Sequence, residues 1–254
     1  MHVVATVDPH LAETWSADEV AARWLRLCPV RSGNEIDPVA SALKASHIAA
    51  DPARVAIYRE RLASLPWFMR CLNEPIARRA NREDACTGRF WEGRYRCQAL
   101  LDEAALLACM AYVDLNPIRA GIASDLPTSA HTSIRRRLQH IEGATLLRPI
   151  AGAAGNTLSV STAEYVQLVE WTGRQRRPDK HRSLVGGPPA VLRSIGMTAA
   201  SWRAEVFTIE TRYWRAVGSI QALIDKARDL GQRWLKGGGL KRRCGLPAPS
   251  TAAS

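Results

Sequence analysis

No stretch of this 254-residue chain stays apolar for the ~18 residues that a membrane-crossing helix needs, because charges break every long run. That argues against a spanning segment. Paired cysteines are also missing. Cys28, Cys71, Cys86, Cys97, Cys109 and Cys244 stand apart with no C-x-x-C spacing, which speaks against a zinc site. No secretory signal precedes them, so isolated thiols fit a reducing cytoplasm, and a cytoplasmic location is expected. Acidic residues are scarce beside basic ones: 24 Asp+Glu face 35 Lys+Arg, for a net charge of +11. This excess has two readings of equal weight, a polyanionic partner such as nucleic acid or a surface kept soluble by arginine. A hydrophobic content of 46% is enough for a core and excludes wholesale disorder.

Periodicity predicts an α+β chain with a predominantly helical remainder. Residues 3–7 (Val-Val-Ala-Thr-Val) are the only β-rich run, ended by Asp8-Pro9. Ser16 with Glu19 makes a capping box for a helix whose apolar face is Val20, Trp24 and Leu27. A loop with Gly33 and Asn34 follows, then helical patterns over residues 40–50, 52–65 and 67–85. The last of these carries Phe68, Leu72 and Ile76 on one stripe and Arg70, Arg78, Arg79 and Arg82 around it. Asp102 is placed to cap a helix with Leu106, Met110 and Val113 as its core stripe, and Pro117 is expected to end it. Further helices are expected over 163–174, 189–195, 198–217 and 220–235. The Ser/Thr/Pro-rich texture after Gly121 suggests a boundary near residue 125. Basic clusters at 135–137, 174–182 and 233–243 read as phosphate-facing or merely solvated surface.

Two segments carry possible chemistry. In Ala111-Tyr-Val-Asp-Leu-Asn-Pro117, Tyr112 and Asn116 lie one helical turn apart, beside the core stripe. A phenol can act as a nucleophile and an amide oxygen can bind a hard metal ion. Equally, Tyr112 can be a rim residue of the core and Asn116 a plain C-terminal cap. Upstream, Arg89-Phe-Trp-Glu-Gly-Arg-Tyr-Arg96 mixes Arg89, Arg94 and Arg96 with Phe90, Trp91 and Tyr95. Arginines suit phosphates and flat rings suit stacking on unpaired bases, while the plain alternative buries the rings and solvates the arginines. His2 is a candidate third metal donor or an exposed terminal residue.

These segments resemble the single-tyrosine HUH transposases, specifically the REP-associated, IS200-like branch. The likeness rests on Met69-Arg-Cys-Leu-Asn73, Gly88-Arg-Phe-Trp-Glu-Gly-Arg-Tyr95 and Tyr112-Val-Asp-Leu-Asn-Pro-Ile-Arg-Ala-Gly121, and covers roughly residues 1–125. It implies a ferredoxin-like palm, of which this chain would hold a remnant, as a partial catalytic domain over 1–125 with a basic helical extension over 126–254. It implies Tyr112 as the nucleophile that leaves a 5′-phosphotyrosine link, with His2 and Asn116 as ligands of Mg²⁺ or Mn²⁺. Arg70, Arg89, Trp91, Arg94, Tyr95, Arg96 and Arg119 would contact single-stranded or hairpin DNA. The first histidine of the His-hydrophobic-His pair and the strands before it are not in the sequence. The chain reads as an N-terminally truncated member, expected to cut DNA poorly as written. The competing reading is a non-catalytic DNA-binding derivative.

Overall fold

Asp-Pro pairs start much of the fold. In the computed structural model, which describes residues 2–141, 145–148, 157–174, 187–212, 215–233 and 235, Asp8 caps α1 (Pro9–Glu13). Its carboxylate accepts from the His10 and Leu11 amides at 3.0 and 3.2 Å. Ser16 caps α2 (Ala17–Leu27) through the Glu19 amide. A two-residue Gly33-Asn34 turn joins β1 (Arg31–Ser32) to β2 (Glu35–Ile36), antiparallel. Gly33 sits at φ 63°, a left-handed conformation that a hairpin turn of this length needs and glycine supplies. Asp37 and Asp51 then cap α3 (Pro38–Ala49) and α4 (Pro52–Leu62). Proline at the first helical position gives up an amide that had no partner there, and aspartate accepts the next ones. α5 (Leu65–Glu83) follows.

These elements make one compact unit, Thr6–Arg96. Its core is small: Val20, Ala21, Trp24, Leu25, Ile48 and Val55 are buried, with Trp15, Tyr58, Leu62 and Trp67 packed against them. Trp24 stacks on Tyr58 with centroids 4.3 Å apart, and the Arg61 guanidinium lies 4.4 Å above the Trp67 ring. Arg59 reaches back to the Ala12 and Trp15 carbonyls at 2.5 and 2.7 Å, fixing the corner between α1 and α2. The buried face of α2 uses Leu25 rather than Leu27, which is exposed. No residue of α5 is buried, so its stripe of Phe68, Leu72 and Ile76 is a half-covered face at most.

The second unit is Met1–Ala5 with Cys97–Ser254. It holds β3 (Ala99–Leu100), α6 (Glu103–Arg119), α7 (Ser133–Gln139), α8 (Thr162–Arg174), α9 (Val191–Ser194), α10 (Ala199–Arg212), β4 (Ala216–Val217) and α11 (Ile220–Asp229). β3 and β4 pair in parallel, joining chain segments far apart in sequence. One core contains Leu107, Ala108 and Tyr112 of α6 together with Ile134, Leu147, Tyr165, Leu168 and Trp202. The change of texture near residue 125 therefore does not separate two cores, because helices on both sides of it bury the same face.

The architecture is α+β, mostly helical, with two small sheets. Several expectations need correction. Residues 3–7 form no strand, because β-propensity alone makes no ladder, and Val3 and Val7 are exposed. The pattern over 198–217 is helical only to Arg212, and Ala216–Val217 is the strand β4. α11 ends at Asp229, where Gly231 at φ 63° lets the Gln232 amide reach the Ala227 carbonyl at 2.8 Å. The basic clusters at 175–182 and 236–243 lie outside the described residues.

Candidate functional site

α6 is held at both ends. At its start the Asp102 carboxylate accepts from the Ala105 amide at 2.8 Å and from the Ser219 amide at 2.6 Å, so one side chain ties α6 to the start of α11. Its end is not where Pro117 predicted. The helix runs through Pro117 to Arg119, and Gly121 at φ 72° closes it. The Ile122 amide donates to the Pro117 carbonyl at 2.9 Å and the Gly121 amide to the Ile118 carbonyl at 3.3 Å. A glycine in the left-handed region makes this reciprocal closure possible two residues beyond the last helical one. Proline's bias against α conformation at the preceding residue is overcome here by the packing of the whole helix.

That packing moves Tyr112. Ala105, Leu107, Ala108, Met110, Ala111, Asp114 and Leu115 are buried along with it, so the helix is covered on most sides. Tyr112 is 5% exposed and belongs to the core rather than lying beside it. Three residues surround it. The His2 ring meets it edge-on, with centroids 5.4 Å apart at 86°. The Arg119 guanidinium lies 4.3 Å from the ring centroid, a cation over a π face. The hydroxyl interacts with both the Glu210 carboxylate and Arg119. Burial, reinforced by the hydrogen bond and negative charge of Glu210 and opposed by Arg119, pushes the phenol up to about 12. In this arrangement the hydroxyl is neutral at physiological pH. His2, though exposed over much of its surface, is held below its ordinary value first by the partial covering of its ring and then by nearby positive charge, against the pull of Glu210. The imidazole is thereby kept in the neutral form that can donate a lone pair.

The two expected metal donors on this unit are His2 and Asn116. His2 is exposed apart from its contact with Tyr112, and Asn116 is half-buried one turn beyond Tyr112. Among the described residues no three His, Cys, Asp or Glu side chains gather into a metal-ligating group. Of the three donors that the resemblance implies, the described residues hold two, His2 and Asn116, an incomplete fit for a divalent ion.

The other expected DNA contacts belong to the first unit, apart from Arg119. Arg89, Arg94 and Arg96 are exposed, as are Phe90 (41%) and Tyr95 (37%). Trp91 is not a free stacking surface. Its indole N–H donates to the Asn73 carbonyl at 3.1 Å and its ring meets Phe90 edge-on at 4.8 Å, which folds the loop against α5. The Asn81 amide holds the same loop through the Gly88 carbonyl at 3.0 Å. Arg70 lies 3.6 Å from Glu74 and over the Trp67 ring. Arg78 and Arg79 pair with Glu74 and Glu83 on successive turns. Arg82, Arg89, Arg94 and Arg96, at the end of α5 and in its loop, are exposed and make no ion pair with a described carboxylate.

Two residues escaped sequence reasoning. Glu210 lies on α10, far along the chain from Tyr112, and no spacing rule links them. Asp114 had a signal: it is the one charge inside an otherwise apolar helical run. It is completely buried and accepts from Ser133 Oγ at 2.7 Å, the Ile134 amide at 3.1 Å, Arg137 Nη1 at 3.2 Å and the Tyr165 hydroxyl at 2.7 Å. Arg137, read from sequence as surface charge, is a structural partner of α6. Comparison of the chain with protein-family models, with curated proteins and with solved structures finds no match.

Proposed function

We propose that this protein is a transposase-like DNA-binding protein whose Tyr112, in a full-length form, cuts and rejoins single-stranded or hairpin DNA through a 5′-phosphotyrosine link. The observation that carries the reading is the meeting of His2 and Tyr112. They lie at opposite ends of the region of resemblance, and their rings stand 5.4 Å apart. Arg119, a third residue of the resembling run, caps the same ring. A guanidinium beside the phenol would oppose the negative charge that gathers on phosphorus oxygens during attack. Mg²⁺ or Mn²⁺ belongs to this reading, with His2 and Asn116 as ligands; when bound it would polarise the phosphate. A ferredoxin-like palm, of which residues 1–125 would hold a remnant, also belongs to it. The exposed arginines and rings after α5 would hold the unpaired strand.

A second reading, a DNA-binding protein without cleavage, has its own support: a buried phenol pushed up to about 12 is a poor nucleophile as it stands. One assay separates the two. The chain, alone and extended by its in-frame upstream coding sequence, is incubated with labelled single-stranded and hairpin oligonucleotides and Mn²⁺, and covalent adducts are mapped by mass spectrometry. The first reading requires an adduct on the 5′ side of a cut strand that is lost in Tyr112→Phe. An adduct that survives Tyr112→Phe and disappears in Tyr95→Phe overturns the assignment. Binding without any adduct selects the second reading.

A further inference from the structure

Glu210 is set beside the Tyr112 hydroxyl by a face of α10 that the core holds. Val206 and Ile209, one turn before it and directly before it, are buried in the cluster that contains Tyr112. The Ile209 carbonyl accepts from Gln98 Nε2 at 3.4 Å, which ties the last turn of α10 to the chain just before β3. Glu210 itself is exposed, whereas Tyr112 is 5% exposed. One carboxylate therefore links a covered hydroxyl to solvent. A phenol has one proton to donate and two lone pairs. Here the proton faces the Glu210 carboxylate and Arg119 bonds to the oxygen, so one lone pair is left over. His2 is the rival base, but its imidazole meets the ring of Tyr112 edge-on and is no partner of the hydroxyl.

We propose that Glu210 is the general base that takes the Tyr112 proton as the phenol oxygen attacks phosphorus. The proposal rests on the reading of Tyr112 as nucleophile and adds to it a catalytic residue from α10, outside the region of resemblance. In the step, the free lone pair of the Tyr112 oxygen forms the O–P bond while the O–H proton passes to the Glu210 carboxylate. The P–O3′ bond breaks with its electron pair on the 3′ oxygen, which takes a proton from water. Glu210, being exposed, gives its own proton back to water. A neutral phenol is a weak nucleophile until its proton leaves, and a free phenoxide is costly in a covered position. Moving the proton during attack meets both constraints.

The test separates the base from the DNA reaction. The full chain is treated with diisopropyl fluorophosphate, whose fluoride leaves phosphorus unaided, and labelling of Tyr112 is timed by peptide mass spectrometry. Glu210→Gln keeps the size and a hydrogen-bond acceptor but takes up no proton. It should slow labelling by roughly 10²-fold, the low end for a general base. In Glu210→Ala, added formate at constant ionic strength should restore labelling in proportion to its concentration, which a merely structural role would not allow. The native reaction should also slow in D₂O, and that slowing should be lost in Glu210→Gln. A Glu210→Gln rate within about twofold of the native one, or above it, overturns the proposal. So does the lack of formate rescue, a solvent isotope effect that survives in Glu210→Gln, the lack of any label on Tyr112, or a loss confined to His2→Gln. The oligonucleotide assay is run on the same variants. Labelling that depends on Glu210 without a DNA adduct leaves the base standing and removes the transposase reading. A DNA adduct whose rate ignores Glu210→Gln does the reverse.

Discussion

The Tyr165 hydroxyl donates to the Asp114 carboxylate at 2.7 Å in a position where neither side chain touches solvent. This bond and its companions from Ser133, Ile134 and Arg137 fasten α7 and α8 to α6. Breaking the buried pair by removing its acceptor leaves several donors stranded. Asp114→Ala is expected to lower unfolding free energy by about 3–5 kcal/mol, against about 1 kcal/mol for Tyr165→Phe, which removes one neutral donor. Urea unfolding followed by tryptophan fluorescence measures both. Equal losses in the two variants would contradict the hub.

High pH should expose the buried phenols. Tyr112 is raised from 10.0 to about 12 by burial, and Tyr165 is raised well above its ordinary value for the same leading reason, with the Asp114 charge second. A raised folded-state value means that the neutral phenol stabilises the fold. That contribution is complete below the unfolded value and is lost as pH climbs through the folded one. The urea midpoint is therefore expected to fall as pH rises above 10, through the 10-to-12 interval for Tyr112. Tyr112→Phe should remove part of that fall, and a slope unchanged in the variant would refute the assignment.

Two glycines should respond oppositely to alanine. At Gly218 a Cβ would stand 3.0 Å from Leu101 Cβ and 3.2 Å from Asp102 Oδ2, atoms held by the joint of β4, α6 and α11. Overpacking there is expected to cost about 1–3 kcal/mol. Gly173, inside α8, meets only the end of the Leu115 side chain at 3.1 Å. That methyl can turn aside, and alanine gains up to about 1 kcal/mol of helix propensity, so Gly173→Ala should be neutral or mildly stabilising. Thermal melts of the two single variants decide the matter.

Affinity for single-stranded DNA should fall steeply with salt, since each neutralised phosphate releases counterions. The paired Arg94→Ala and Arg96→Ala change should weaken binding broadly across sequences and reduce the slope of log K against log salt by about 1–2. Arg79→Ala, which removes a cation already paired with Glu83 at 2.7 Å, should do less. Fluorescence anisotropy at several salt concentrations reads all three. Salt-insensitive binding, or equal effects of paired and unpaired arginines, would rule out the loop as the contact.

Helix starts were legible from sequence because a cap is a bond across two or three residues. Ser16 and Asp102 act where spacing placed them. The rule is short-ranged, and the short-ranged part held. Other local signals were outweighed. Residues 3–7 have strand propensity but no neighbour to pair with, and Pro117 disfavours helix less than the packing of α6 favours it. Gly33-Asn34 was visible as a turn, yet its flanks lacked the alternation that announces a hairpin.

The sequence by itself determined the charge excess, the mostly helical class, and the presence of Tyr112 and Asn116 one turn apart on a capped helix. Only tertiary structure decided that Tyr112 is buried, that His2 and Arg119 enclose its ring, and that Glu210 shares its hydroxyl. It also decided that Asp114 and Arg137 meet inside the molecule. Caps and periods are written in neighbouring residues, because the interacting groups are joined by a few bonds of chain. A contact such as Tyr112 with Glu210 depends on how α6 and α10 pack, and that packing is fixed by the summed burial of the whole core rather than by either residue.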